Sequence, residues 1–343
     1  MVIPFEKEAR EEYYKLLDEV FDSNFWSEGN MQKRFESLFE EYTGLYSACV
    51  SNGGSGLLAI YDYIGVEGAE VIVPANTFWA TTQAAKKAGA DIVYADCNKN
   101  DLCLSYDDMV SKVTDKTKAV VVVHIGGHIA FEIEKIAKYC EEHNIALVED
   151  CAHAHGATWN GKMAGSWGIA GSYSFYATKT MPLGDGGMVV SKNKDFIEFV
   201  KKYRNYGKEV FGTKVTYPLK NGFNYRINEF TAALGIVQMR RLPEILRWKR
   251  ELAAKYDEIF ENTVKLPAGM ISGYYKYIVF DTELTEVTGQ VFGPNDLGYR
   301  IEGKDILLPN SEWVVTHHKC APIYHGWDKA DLSIAELKDY LLK

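Results

Sequence analysis

Lys179 closes the run Ser174-Phe175-Tyr176-Ala177-Thr178-Lys179, and the turn Gly184-Asp185-Gly186-Gly187 follows it. Upstream lies the acidic segment Val148-Glu149-Asp150-Cys151-Ala152-His153. A lysine amine can form a Schiff base with a carbonyl carbon. An aspartate can keep a pyridine nitrogen protonated, so that the ring draws electrons. A serine hydroxyl can bond a phosphate oxygen. An Asp, a Ser and a Lys in that order are what a fold needs to hold pyridoxal 5′-phosphate (PLP). Singly, each has a plainer reading. Most lysines are solvated, and an aspartate at a strand end can cap the next turn. The conjunction carries the argument.

These residues must be presented by something rigid. Short apolar runs recur along the chain at Ser47–Ser51, Glu70–Pro74, Asp91–Ala95, Ala119–His124, Ala146–Asp150, Gly171–Tyr176 and Gly187–Ser191. The centre of one, Val120-Val121-Val122-Val123, is β-branched throughout. Such runs suit parallel strands covered on both faces. Helical stretches or turns separate them, which predicts an α/β domain with a central, mostly parallel sheet. Amphipathic helices are expected at 6–21 and 31–42. After Ile227 the pattern changes. Residues 228–262 read as one or two long helices bent near Pro243, Tyr274–Phe280 as a strand, Leu307–Val315 as mixed, and 333–342 as a closing helix. The expected division is a large domain over 1–235 and a smaller α+β domain over 236–343.

Ligands of open α/β sheets bind beyond the carboxyl ends of the strands. Ser51-Asn52-Gly53-Gly54-Ser55-Gly56 lies at such an edge, before an expected helix at Leu57–Ile64. Small residues there let backbone N–H groups approach a phosphate. The same turn can serve a purely structural end. It is not GxGxxG, so a dinucleotide gets little support.

The 343 residues carry a net charge of -9, which argues against nucleic acid as a partner. Lys201, Lys202, Arg204 and Lys208 form a local basic cluster, read either as an anion site or as a solvated helix face. The six cysteines are scattered and none is spaced as CxxC, so neither a metal site nor a disulfide framework is expected. The first residues lack a basic and an apolar signal region, and no run reaches the ~18 residues of a membrane span. A soluble cytoplasmic protein is the expectation.

The chain resembles the DegT/DnrJ/EryC1/StrS family of sugar aminotransferases, fold type I PLP enzymes. The resemblance rests on Gly68–Ala80, Lys116–His124, Val148–Gly156, Ser172–Gly187 and Gly222–Ala233, within about residues 25–250. It implies that Lys179 is the cofactor-bonded, catalytic lysine and Asp150 the pyridinium partner. Ser174 and the amides of Gly54 and Ser55 would hold the phosphate. Phe78 would stack on the ring, with Trp79 as its neighbouring rival. Asn224 would reach the phosphate from a second subunit, in a homodimer with shared active sites. His153 stands where the family usually has Gln, against the ring near its phenolic oxygen. The usual His-Leu-Tyr-Gly-Gln run is His124-Ile125-Gly126-Gly127-His128 here, and the lost tyrosine is expected to open space.

The implied activity is amino transfer from L-glutamate to a keto sugar, most simply a nucleotide-linked one. A small phosphorylated keto-polyol or a cyclic ketone would use the same chemistry. A PLP-binding regulator or inactive partner subunit is the alternative outside catalysis. A family dehydratase, with His in place of the lysine, conflicts with Thr178-Lys179-Thr180.

Overall fold

A computed structural model describes residues 4–219 and 221–342. In chain order its helices are α1 (Lys7–Ser23), α2 (Asn30–Thr43), α3 (Gly53–Ile64), α4 (Trp79–Lys87), α5 (Tyr106–Ser111), α6 (Ile133–Glu142), α7 (Lys194–Tyr203), α8 (Glu229–Asp257), α9 (Gly298–Ile301), α10 (Pro309–His317) and α11 (Ile334–Leu341). Its strands are β1 (Tyr46–Val50), β2 (Glu70–Pro74), β3 (Asp91–Ala95), β4 (Thr117–Val123), β5 (Ala146–Asp150), β6 (Thr158–Trp159), β7 (Lys162–Met163), β8 (Ala170–Ser174), β9 (Gly187–Ser191), β10 (Glu209–Phe211), β11 (Lys214–Thr216), β12 (Met270–Ile271), β13 (Tyr277–Phe280) and β14 (His318–Ala321).

The central sheet has seven strands in the order β1-β9-β8-β5-β4-β2-β3. Strands β3, β2, β4, β5 and β8 pair in parallel. Only β9 reverses, pairing antiparallel with β8 and β1. The mostly parallel sheet expected from the valine-rich runs is present. In β4, Val120 and Val122 enter one core while Ala119 and Val121 enter another on the opposite face. That two-sided burial is why the run carries no polar alternation.

Several boundaries differ from expectation. Helix α3 begins at Gly53, not Leu57, because Asn52 caps it. The Asn52 Oδ1 accepts the Ser55 N–H at 2.8 Å, and the Ser55 hydroxyl lies 3.2 Å from the Asn52 N–H. This reciprocal cap offsets the poor helix propensity of the two glycines. Helix α8 is continuous through Pro243 over 29 residues and passes residue 235 without a break. Its buried face, including Leu242, Ile245 and Leu246, outweighs the one lost hydrogen bond. The strand expected over Tyr274–Phe280 is shorter, Tyr277–Phe280, paired with β14. The mixed stretch Leu307–Val315 contributes helix α10. A separate core gathers Leu252, Tyr256, Phe260, Tyr277, Trp327 and Leu337.

The basic cluster does not form one open face. Arg204 is buried and bonds Glu36 and the Cys49 carbonyl, Lys201 pairs with Glu198, and Lys202 pairs with Glu209. All six cysteines are free and buried. Among the described residues, no helix is long and apolar enough to cross a membrane.

Helix α2 follows Gly29, which has no side chain to cap it. The buried carboxylate of Glu229, at the start of α8, does so instead. It accepts the Met31 N–H at 2.8 Å and the Gln32 N–H at 3.1 Å. Glu229→Ala leaves both buried amides unpaired and should cost about 2–3 kcal/mol in urea unfolding of the cofactor-free protein. A loss below about 0.5 kcal/mol, the usual size of a surface change, would show that α2 does not depend on this cap.

Candidate active site

Strand β5 ends in two carboxylates that point to opposite sides. Glu149 is fully buried and accepts four hydrogen bonds. These come from Gly165 N–H (2.6 Å), Trp167 N–H (2.7 Å), Gly168 N–H (2.7 Å) and the His124 ring (2.9 Å). Asp150 accepts from the Thr81 hydroxyl at 2.7 Å and from the Ala152 N–H at 3.0 Å. The Thr81 proton goes to Asp150, so Thr77 donates to Thr81, at 2.8 Å. Each Asp150 oxygen thus has one partner and keeps a free lone pair. Thr77 and Thr81 are buried parts of the site that sequence reading missed. Their one signal was two threonines a helical turn apart.

Strand β8 carries Ser174 to the N-terminus of α3. A methyl built on Gly53 would lie 3.1 Å from the Ser174 Cβ, and one on Gly187 would lie 2.5 Å from the Asn52 carbonyl carbon. Only glycines allow this convergence. The Gly54 N–H is in the first turn, where no intrahelical acceptor exists. The Ser55 N–H, expected to face a phosphate, is engaged by Asn52.

After Ser174 the chain folds back on itself. Phe175 N–H bonds Gly186 O at 2.9 Å, Leu183 N–H bonds Phe175 O at 2.8 Å, and Lys179 N–H bonds Tyr176 O at 2.9 Å. This loop holds Lys179 with its amine 4.7 Å from the centroid of the Tyr275 ring. Desolvation pushes the amine down to about 8; the Asp150 charge opposes this and Lys276 adds to it. His153 also stacks with the Tyr275 ring, at 4.1 Å and 26°. The buried His153 Nδ1 has no partner, and burial holds the ring neutral.

The space expected from the missing tyrosine of the 124–128 run is taken up at Gly126 by side chains, where a methyl would lie 2.9 Å from Ile278 Cδ1, and at the neighbouring Gly127 by backbone. Gly127 has φ +103°, and a methyl on it would lie 2.5 Å from the Tyr275 nitrogen. The Gly127 carbonyl accepts the Gly273 N–H and the Ser272 hydroxyl, each at 2.8 Å, and Gly126 O accepts the Lys276 N–H at 2.9 Å. These bonds seat Tyr275 and Lys276 beside Lys179. They also explain why Tyr274–Lys276 is not strand.

Phe78 precedes α4 and is 78% exposed, whereas the Trp79 ring lies under the Lys86 ammonium at 5.7 Å. Asn224 sits on another exposed loop, which touches the α3 entrance through the Ser51 N–H bond to Tyr225 O at 2.7 Å. Of the residues expected at the site, Lys179 lines the cavity beside it, whereas Gly54, Ser55, Phe78, Asp150, His153, Ser174 and Asn224 do not. That cavity, about 310 Å³, is lined by Lys179, Lys249, Tyr275, Lys276, Thr288 and Tyr324 among others. Lys249 and Lys276 were not foreseen. Lys276 had one signal, a lysine set among Tyr274, Tyr275 and Tyr277, whereas Lys249 stands in the charged run Arg247-Trp248-Lys249-Arg250-Glu251.

The donor set fits PLP. A half-engaged carboxylate, a lowered lysine amine, an unpartnered imidazole nitrogen, and a serine beside a free helix N-terminus meet the ring nitrogen, aldehyde, phenolic oxygen and phosphate in kind. This sheet, with its lysine between β8 and β9, is the architecture of PLP-dependent aminotransferases. The model of the DegT/DnrJ/EryC1/StrS aminotransferase family matches residues 7–273, and the chain belongs to that family. It is 36% identical over 245 residues to GDP-perosamine synthase of Vibrio cholerae, covering 71% of this chain and 66% of that protein. It is 31% identical to dTDP-4-dehydro-2,3,6-trideoxy-D-glucose 4-aminotransferase of Saccharopolyspora spinosa, over 77% of this chain and 73% of the relative. The crystal structure of the aminotransferase TlmJ from Streptoalloteichus hindustanus superposes with a TM-score of 0.87 at 28% identity, covering 99% of this chain and 98% of that one.

An amine is reactive only when deprotonated, so Lys179 labelling by acetic anhydride should rise with pH to a plateau, with a midpoint near 8. Asp150→Asn should move that midpoint lower, because the Asp150 charge favours the ammonium form. Competitive labelling read by mass spectrometry measures both. A midpoint at the ordinary 10.5 would refute the desolvated environment.

Proposed function

We propose that the protein is a PLP-dependent aminotransferase that moves an amino group from L-glutamate to a keto sugar carried on a nucleotide. The observation that carries this reading is the convergence of a desolvated Lys179 with Asp150 and the α3 entrance. The nucleotide-sugar chemistry in the relatives' names supports the acceptor class. PLP, when bound, supplies the electron sink. Asp150, oriented by Thr81 and the Ala152 amide, holds the proton on the ring nitrogen. Ser174 and the α3 amides, Gly54 foremost, bind the phosphate, with Ser55 fixing the turn. Phe78 covers the ring, and His153 donates toward the phenolic oxygen. Lys179, as the free amine, takes the proton from the donor's α-carbon; a pKa of about 8 leaves a useful share of it deprotonated near neutrality.

The same reading divides the chain into a cofactor domain over 1–235 and a smaller domain over 236–343, supported by the separate core around Tyr256 and Trp327. It places the protein in the cytoplasm, in keeping with six reduced, buried cysteines. It also makes the protein a homodimer with shared sites. Phe211, Tyr217 and Phe223 are each about 60% exposed around the β10–β11 hairpin and the Asn224 loop. A cluster of this kind marks an interaction surface.

Borohydride reduction of the PLP-loaded protein should attach the cofactor to the tryptic peptide containing Lys179. That protein should convert glutamate to 2-oxoglutarate, and Lys179→Ala should abolish turnover. Label on another lysine, or full activity in Lys179→Ala, would overturn the reading. Mass spectrometry of products from a panel of ketones, nucleotide-linked and free, then separates the acceptors.

Shared sites predict complementation. Lys179→Ala and Asn224→Ala homodimers should both be inactive, and mixing them with subunit exchange should restore turnover. One hybrid site then has Lys179 from one subunit and Asn224 from the other. A mixture that stays inactive would place Asn224 in its own subunit's site or outside both.

A further inference from the structure

The cavity beside Lys179 holds two further amines with no assigned task. Lys249 projects from the buried face of α8, and its Nζ donates to Ile323 O at 2.6 Å and Tyr274 O at 3.1 Å. Lys276 donates to Thr288 O at 3.0 Å. An ammonium group has three donors. After those bonds, one remains on Lys249 and two on Lys276. Among the described residues, no acidic side chain lines the cavity. Burying cations without an anion is costly, and burial lowers Lys249 to about 7, with Lys276 adding to the shift. Thr178, Thr180 and Thr288 supply neutral polar groups to the same wall.

The space is small. At about 310 Å³ it stands at the lower end of ligand pockets, which run from about 300 to 1,000 Å³. That suits a five-carbon amino acid. A nucleotide-linked sugar is several times larger and must keep most of its bulk outside. Charge points the same way. Lys276, together with Lys249 once an anion holds its proton, can match two carboxylates, and a donor with a neutral amide end carries only one.

We propose that this cavity is the amino-donor chamber, and that Lys276 and Lys249 select a dicarboxylic donor, Lys276 pairing with the carboxylate distal to the reacting carbon. The chamber rests on the aminotransferase reading. It explains how a chain without an arginine at this wall recognises an anionic donor. Lys276 is its specificity residue, because it has two uncommitted donors, whereas Lys249 spends two of three on backbone carbonyls.

The test compares glutamate with glutamine, which has nearly the same shape but lacks the distal charge. In the PLP-loaded protein, the first half-reaction is followed by its absorbance change. Lys276→Met should lower kcat/KM for glutamate about 10- to 100-fold, the range of one charge-assisted hydrogen bond. With rates compared at each variant's high-pH plateau, because losing Lys276 also raises the Lys179 amine, Lys276→Met should change glutamine less than about threefold, and Lys276→Arg should recover most of the glutamate rate. Calorimetry with glutarate, which cannot react, should show binding to wild type and none to Lys276→Met. Equal losses with both donors, or no loss, would overturn the proposal. So would pyrophosphate competing for the glutarate site, since that would assign the amines to a phosphate of the acceptor. A wild-type protein that binds glutarate yet converts no amino donor would sink the aminotransferase reading and leave the dicarboxylate site standing.

Discussion

The buried carboxylate of Glu149 is the interaction on which the site depends. A charge with no exposure is tolerable only when its lone pairs are filled, and here three backbone amides and an imidazole fill them. Those partners come from the end of β4 and from the segment 165–168 that leads into β8. One side chain therefore fixes the end of β5 to the strands on either side. Asp150, the next residue, faces the other way and inherits that rigidity. Ser174 and the lysine loop follow from β8. A single residue on the core side of a strand thereby sets the positions of groups on the ligand side.

Around Lys179 the electrostatics are arranged in opposition. Burial and Lys276 favour the neutral amine, while Asp150 favours the charged one. The outcome near 8 is a compromise that neither partner would produce alone. Nearby histidines add no positive charge. Burial drives His155 down to about 3 and His128 to about 4. The positive potential of the cavity comes from its lysines, and it falls where an anionic reactant must meet the reacting amine.

Much of the scaffold was legible because it obeys local rules. Strands β2, β3, β5 and β9 have the bounds read from their apolar runs, since a strand buried on both faces writes its length as an unbroken apolar stretch. The entrance of α3 was misplaced because Gly53-Gly54 argues against helix, and only the Asn52–Ser55 cap reverses that. The segment Tyr274–Lys276 has the composition of a strand. Its backbone is instead taken by Gly126 and Gly127, almost 150 residues away in the chain, which no local pattern reveals. The basic cluster at 201–208 dispersed for a similar reason: the partner of Arg204 is Glu36 on α2. Lys179, Asp150 and Ser174 could be proposed as a set because their types and order are chemically unusual together. Lys249 and Lys276 could not, because each is an ordinary lysine until α8 and the 272–276 segment meet.

That meeting turns on Gly127. Its backbone lies in the left-handed region, and any side chain there would strike the Tyr275 and Tyr274 nitrogens. The close approach lets Gly127 O accept two hydrogen bonds from 272–273 while Gly126 O holds Lys276. Tyr275 then lies against both the His153 ring and the Lys179 amine, and Lys276 is directed into the cavity. At Gly126, the middle of the 124–128 run, a methyl would lie 2.9 Å from Ile278 Cδ1 and 3.4 Å from the His128 ring, so a larger side chain there would press on β13, the strand that follows Lys276. Both glycines of the run thus bear on the segment that carries Lys276, Gly127 by its close backbone approach and Gly126 by accepting the Lys276 N–H and leaving room for Ile278. The two glycines exchange a side chain in the site for a backbone dock, and the dock brings in the lysine.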